Sequence, residues 1–599
     1  MAETGAAAGS LPVTDTRPQW FGHPAQLARL FTTEMWERFG YYGMRALLTL
    51  YLAQHFLFSD STTNGLYGAF TSLVYLTPLF GGLLADRYLG SKRAVKFGAL
   101  LMAAGYFMLC FSGEAAMPFA VIDGQRLAVE VVSKGEAQAQ FINSGGERLQ
   151  IKGNDDGSVA LLRPDGSAAR TIPKASFSSG GERSDFHVML MLFALSAVTI
   201  GNGFFKPNIS TIVGSLYAAE DRRRDAGFTV FYMGINIGSA LSQFFLPLVA
   251  LYFGWSLGFG LAAAGMLFSW SLMQFDGGRL AGYGDRPDHP GVKSGPRSDL
   301  LIYIAAIAFV PVIWLLFRNM LATADAAAAA AKSGAGFIGY IGSLPLLGQL
   351  MFVTFFAAVI GIPLWAWRTG SAKEFQMMVA AFVLIVFNVV FWTLFEQAGS
   401  SLTFFADRNT DRQIGGYLMP AGQVQVFNAL FIILLAPLFS ALWIGLAKRN
   451  REPGIPVKFA IALMGAGLGF LALVFGTQFA GVDYKVGLGW IALIYFIHSA
   501  AELCISPVGL SMITKLSMAR IVAMMMGVWF LSIAVAQYVA GIVAQFASVE
   551  TVGGQVTNLK VSLDTYVGVF SVIGWTAVGI GVLLLALSPL LKRWMHGVQ

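Results

Sequence analysis

Apolar runs of about 20 residues, the length that crosses roughly 30 Å of hydrocarbon as a helix, follow one another almost from end to end of the chain. In lipid every backbone N–H and C=O must be satisfied internally, so only helices or a closed barrel can span. The runs are continuous rather than alternating over ten-residue segments, which excludes the barrel and makes this an all-α polytopic membrane protein. Composition agrees, with 56% hydrophobic residues, 12% charged residues and 49 Phe in 599 positions.

Spans are expected near 27–54, 64–85, 94–113, 186–215, 226–250 and 256–275, an N-terminal six-helix bundle over 27–275 that follows a tail at 1–26. A Gly-, Pro- and charge-rich stretch at 276–299 reads as a solvated linker. Two additional helices follow in 300–367, near 300–317 and 346–367, joined by the low-complexity segment ATADAAAAAAKSG. A C-terminal six-helix bundle is expected over 368–588, with spans near 375–397, 423–447, 458–478, 488–506, 520–546 and 565–588, and a tail at 589–599. The total is about 14 spans.

Every second loop is basic: DRYLGSKR, EDRRRD, the linker, WRTGSAK, AKRNREP, the turn at 515–520 and the KRW tail. This is the pattern of cytoplasmic loops, so both termini and the linker are expected on the cytoplasmic side of the cell (inner) membrane. The net charge of +7 is therefore read as topology, with membrane lipid as the surroundings and no nucleic-acid partner. No basic n-region leads into a short apolar core with a small-residue cleavage site, so no removable signal peptide is expected. Cys110 and Cys504 sit in apolar runs and read as small buried hydrophobes.

The segment 114–185 falls outside in this scheme. Its patches RLAVEVV, QAQFI, RLQI and SVALL, separated by NSGG, NDDG and RPDG, predict short strands joined by hairpin turns: a small β-rich extramembrane insertion in the periplasm.

The first span carries charge. In EMWERFGYYGMR, at 100° per residue, Glu34, Glu37, Arg38, Tyr41, Tyr42 and Arg45 share an arc of roughly 140°. A charge at the bilayer centre costs at least about 2.5–3.5 kcal/mol, so that face must look into the bundle. An ion-pair knot that merely ties helices together is one reading, but buried pairs seldom stabilise more than apolar packing does. Other spans carry isolated charges: Lys206 in GNGFFKPNIS, Glu396 in FWTLFEQAGSS and Glu502 in HSAAELCISP. Opposite charges in two halves of a bundle point to a central cavity of the secondary-transporter kind, across which Lys206 and Glu502 could pair. His498, one turn before Glu502, reads as a packing residue that could assist titration.

The chain resembles the proton-coupled oligopeptide transporter family of the major facilitator superfamily over nearly all its spans. The residues that carry the resemblance are EMWERFGYYG on the first span, FFKPNIS on the fourth and FYMGINIGS on the fifth, with GGLLADRYLGSKR after the second. The insertion at 114–185 departs from it. The resemblance implies a major facilitator fold, and a proton-coupling set of Glu34, Glu37 and Arg38, faced by Lys206, with Arg45 and Glu396 closing the outer side. It also implies that Arg45, Tyr42, Tyr75, Lys206, Asn236, Asn428, Glu502 and Trp529 line the substrate site. Lys206 and Glu502 would take the peptide's end charges, Tyr42, Tyr75, Asn236 and Asn428 its backbone, and Trp529 a side chain. Asp86 and Arg93 would latch helix ends on the cytoplasmic side.

The function so implied is proton-coupled symport of di- and tripeptides by alternating access, by a protein that works as a monomer, with the proton as coupling ion and no other cofactor or metal. Symport of another small solute, nitrate or a peptide-like drug, is the alternative. A channel is disfavoured because the charges are few and oppositely signed rather than a uniform ring. An enzyme is not expected, since no metal-ligand spacing such as HExxH occurs.

Overall fold

The computed structural model describes residues 18–134, 137–218, 221, 223–287, 295–332 and 337–598. Most of the N-terminal tail and parts of the EDRRRD loop, the linker and the KSG end of the Ala-rich segment lie outside the described residues. The first bundle comprises α1 (Gln26–Leu50), α2 (Asp60–Leu84), α3 (Ser91–Leu109), α4 (Asp185–Ser215), α5 (Arg223–Phe253) and α6 (Trp255–Gln274). Next come α7 (Pro296–Lys332), the short α8 (Phe337–Ser343) and α9 (Leu346–Thr369). The second bundle comprises α10 (Ala372–Phe395), the short α11 (Ser401–Arg408), α12 (Val426–Lys448), α13 (Ile455–Gly476), α14 (Leu488–Leu516), α15 (Val522–Phe546) and α16 (Leu559–Trp594). Among the described residues 12 segments are long and apolar enough to cross a membrane. The long helices not among them, α1 and α3, carry clustered charge: Glu34, Glu37, Arg38 and Arg45 on one, Lys92, Arg93 and Lys96 on the other.

Within the first bundle α1 packs on α5 and α6, α3 on α4 and α6, and α2 on α4. In the second, α13 packs on α14 and α16, α10 on α15 and α13, and α12 on α14. Between them, α2 meets α15 and α5 meets α12. The pair α7 and α9 lies against this body: Trp314 donates to the Met189 carbonyl at 3.1 Å, and Tyr303 stacks on Phe97 at 4.6 Å. Their other faces expose Leu301, Ile304, Val353 and Ile360, as lipid-facing helices must. Close backbone approach recurs at the crossings. A Cβ on Gly81 would collide with the Gly203 backbone, and one on Gly68 would lie 2.8 Å from the Gly541 Cα. Small residues that let backbones touch are how helices associate where burial from water offers no drive.

Two elements differ from the expected pattern. The Ala-rich segment, expected only to join two spans, is the continuation of α7 to Lys332, because Ala has the highest helix propensity and nothing there breaks the turn. The ninth span does not stop near 397: α10 passes through a 3-10 turn at Glu396–Gly399, breaks at Ser400, and resumes as α11. The Gly399 carbonyl freed by this break accepts a hydrogen bond from Thr49 Oγ1 of α1, at 2.5 Å.

The insertion is a seven-stranded antiparallel sheet of β1 (Met117–Ile122), β2 (Gln125–Lys134), β3 (Ala137–Ser144), β4 (Glu147–Gly153), β5 (Val159–Leu162), β6 (Ala168–Ile172) and β7 (Phe177–Glu182). Strand order is β6-β5-β4-β3-β2-β1-β7, a meander closed by one return strand. Two-residue turns at Asp123-Gly124 and Gly145-Gly146 place both central residues at positive φ, the turn that matches strand twist and selects Asp-Gly or Gly-Gly. Alternate residues such as Leu149 and Ile151, or Val159 and Leu161, bury one face.

Replacing Gly81 by Leu should force the α2–α4 crossing apart and lower stability by about 1–3 kcal/mol. Gly579→Leu, where a Cβ meets nothing within 4 Å, should be neutral. Melting of the two purified variants in detergent compares them directly.

Candidate functional site

The charged face of α1 turns inward. Glu34 and Arg38 are each 2% exposed and Glu37 is fully buried. Arg38 Nε donates to Glu34 Oε1 at 2.8 Å and lies 2.5 Å from Glu37 Oε2, so one guanidinium serves two carboxylates, the i,i+4 spacing bringing Glu34 within reach. Apart from this ion pair, neither Glu37 oxygen has a hydrogen-bond partner among the described residues, nor does the buried hydroxyl of Tyr106 on α3, which lies within electrostatic reach of Glu37.

Lys206, from the FFKPN turn of α4, holds its ammonium 4.1 Å from the centre of the Tyr75 ring and within electrostatic reach of Glu37, Glu34 and Glu396. Across the interface Asn428 of α12 donates to Ser499 at 3.0 Å and to Glu502 Oε2 at 3.4 Å, which ties α12 to α14 at this level. Glu396 is within reach of both Lys206 and Glu502, so both look onto one interior. Lys206 and Glu502 form no ion pair with each other; the direct pairing considered from the sequence does not occur. Tyr42, Tyr75, Lys206, Asn428 and Glu502 are all half-buried, whereas Glu34, Glu37, Arg38, Arg45 and Glu396 are buried. Tyr232 of α5, near Glu502, is 41% exposed at mid-helix. The half-buried group thus keeps part of its surface free of protein contacts on the interior that Glu396 shares with Lys206 and Glu502.

The other expected residues are placed as follows. Asn236 spends its amide on the Tyr232 carbonyl one turn back, at 3.0 Å, leaving its oxygen for other partners. Trp529 of α15 is 7% exposed, and its ring packs where Gly509 of α14 leaves room. His498 is locked between Phe395 and Phe470 and bonds the Ala466 carbonyl at 3.0 Å, inside the second bundle. Arg93 reaches Asp299 at the start of α7, at 3.7 Å.

On the side of the insertion the bundles are held together by charge. Arg45 pairs with Glu396, and its Nε donates to Tyr67 at 2.5 Å. A second bridge is absent from the sequence-based reading: Asp60 at the N-terminus of α2 and Arg408 at the end of α11, each 2% exposed at the side chain, form two bonds of 2.6 Å. Arg408 also donates to Tyr566, and Asp60 accepts from the Val549 N–H at 2.9 Å. Gln54 donates to Asp407 at 3.1 Å beside it, and Gln423 to the Phe244 carbonyl at 2.6 Å. The signal available was an acid and a base at the outer ends of two spans, where charges are commonplace. A cavity of about 680 Å³ opens outward from this layer, walled by Gln54, Trp255, Arg412, Lys485 and Gln555. Among the described residues no three His, Cys, Asp or Glu side chains gather as a metal site.

Two helical bundles closed on one side by buried ion pairs, with ionised groups of both halves facing an interior at mid-depth, define a secondary transporter. The POT family profile matches residues 92–279 and 349–559, and the chain belongs to that family. It is 30% identical to the uncharacterized transporter YclF of Bacillus subtilis (strain 168), over 97% of this chain and 96% of that one. It is 28% identical to dipeptide and tripeptide permease A of Escherichia coli (strain K12), over 98% and 97%. The crystal structure of a peptide transporter POT in complex with sulfate superposes with a TM-score of 0.69 at 29% identity, covering 97% of this chain and 98% of that one, so the fold is that of the major facilitator superfamily. A mutant of that transporter in complex with alafosfalin gives the same score and coverage.

Removing one partner of the Asp60–Arg408 pair leaves the other charge buried, at a cost of about 3–5 kcal/mol. Arg408→Met should therefore melt well below the parent protein in detergent. The double variant Asp60→Asn with Arg408→Met should recover much of that loss.

Proposed function

We propose that this chain carries di- and tripeptides together with protons across the cytoplasmic membrane by alternating access. The observation that carries the reading is the half-buried set of Lys206 on one bundle and Asn428–Glu502 on the other, opposite in charge, facing one interior and not paired with each other. A peptide's ends are always charged while its side chains vary. An ammonium for the carboxylate and a carboxylate for the amine grip the constant part, and the amides and phenols of Asn236, Asn428, Tyr42 and Tyr75 can bond any peptide backbone. Aromatic walls such as Trp529 accept side chains of many shapes. The relatives' names, permeases of dipeptides and tripeptides, support the same substrate class.

Coupling is assigned to the two carboxylate sets. Glu396 holds Arg45 only while ionised, so protonation releases that bridge and frees the insertion side to part. The cluster of Glu34, Glu37 and Arg38, with Lys206 close by, receives the proton on the way inward. The basic loops support placing both termini in the cytoplasm and the insertion outside.

In proteoliposomes with an inward proton gradient, labelled dipeptide should accumulate. Glu396→Gln should abolish that accumulation while counterflow of dipeptide down its own gradient persists. Lys206→Ala and Glu502→Gln should each weaken dipeptide binding by about tenfold or more, the loss of one charge-assisted contact of about 1.5–3 kcal/mol. Transport of an anion such as nitrate in place of dipeptide would overturn the reading.

A further inference from the structure

The inserted sheet leaves the first bundle and returns to it, yet it leans on the second. Its attachment to the first bundle is short and firm. Only residues 183–184 separate β7 from α4, the Ala116 N–H donates to the His55 carbonyl at 2.8 Å, and Arg183 donates to the Phe56 carbonyl at 3.0 Å while covering the Phe58 ring at 4.5 Å. The three Cα–Cα steps from Glu182 to Asp185 reach about 11 Å at most, so the sheet cannot travel far from α4.

Its other flank is docked on residues 549–560, the turn between α15 and α16 in the second bundle. Val552 is 2% exposed and completes the sheet's apolar core with Ala120, Ile122 and Val129. Ser179 donates to the Thr551 carbonyl at 2.7 Å, the Gly153 N–H to the Thr557 carbonyl at 3.1 Å, and Asn558 to both the Gly153 carbonyl and Asp155, at 3.1 and 3.0 Å. Lys560 pairs with Asp155 at 2.5 Å and Lys174 with Glu550 at 3.4 Å. The same turn supplies the Val549 N–H that bonds Asp60, so the sheet and the Asp60–Arg408 bridge meet on one segment.

We propose that the sheet is a strap across the two bundles, which must let go of the 549–560 turn before the insertion side can open, and which therefore biases the protein toward the state closed on that side. The inference rests on the alternating-access reading above. Since α4 holds the sheet, any rotation that parts the bundles there must break its contacts with the turn. The contacts suit a release: the ion pairs are solvent-exposed, each of the kind worth little, and one valine is the main apolar anchor.

The test uses the full chain with Cys110 and Cys504 replaced by Ala. A Cβ on Gly153 lies 3.3 Å from the Thr557 Cβ, close to the separation of about 3.8 Å in a disulfide, so Gly153→Cys with Thr557→Cys can fasten the strap. Oxidation should abolish dipeptide uptake in proteoliposomes, and reduction should restore it. Undiminished uptake after complete cross-linking overturns the strap. A second measurement needs no substrate: spin labels at Phe253→Cys and Ile414→Cys, on exposed positions of the two bundles at this end, report their separation in detergent. Adding Val552→Ser and Asp155→Ala should bring in a longer-distance population, and an unchanged distribution overturns the strap. Should the reduced cysteine pair and the parent protein both fail to take up dipeptide, the transport reading falls, and the label distances alone decide the strap.

Discussion

Ionised side chains cannot rest against acyl chains, and that prohibition organises this molecule. Glu34, Glu37 and Arg38 on α1, Lys206 on α4, Glu396 at the break in α10 and Glu502 on α14 are tolerated at depth because the two bundles turn them toward one another. The apolar shell, the lipid-facing helices α7 and α9 and the glycine crossings all serve to keep that inner surface away from hydrocarbon. Within it the charges fall into two kinds. Arg38 and Arg45 are matched by carboxylates and buried, whereas Lys206 and Glu502 remain half-buried and separate, which is the distribution needed if a mobile zwitterion is to complete them.

The break at Glu396–Ser400 ties these kinds together. A continuous helix would carry Glu396 past the interface on a rigid rod; the interruption lets α10 end against the carriage site while α11 leads on to Arg408 and the closed side. Thr49 and Glu396 then bind α1 to the broken segment at two adjacent points, one through a backbone carbonyl and one through charge. On the proposed coupling, protonation of Glu396 would loosen one of the two.

Much of this was legible in the sequence, for physical reasons that also mark where legibility ends. Apolar runs reveal helices because lipid leaves no alternative, and the mid-span charges Glu34, Arg38, Lys206 and Glu502 are conspicuous because they are costly. The hairpins of the insertion are announced by Asp123-Gly124 and Gly145-Gly146, whose backbone angles few other residues adopt. Helix ends are less legible: α7 and α14 run on well past their apolar cores, where nothing in hydrophobicity says stop. Asp60 and Arg408 escape notice because charge at a span's end is cheap, and only the three-dimensional pairing of residues 348 apart shows that they are buried. The docking of the sheet on the 549–560 turn is of the same kind, written in contacts between segments some four hundred residues distant that no local pattern encodes.

The touching backbones of Gly68 and Gly541 join α2 to α15 across the two bundles. At that point no side chain is seated between the two backbones, so a small slide there needs no rotamer to change, while Asn64 and Gln545 bond across the same seam on either side of it. A crossing of that texture behaves as a bearing, and it leaves the latch to the polar contacts and ion pairs beside it.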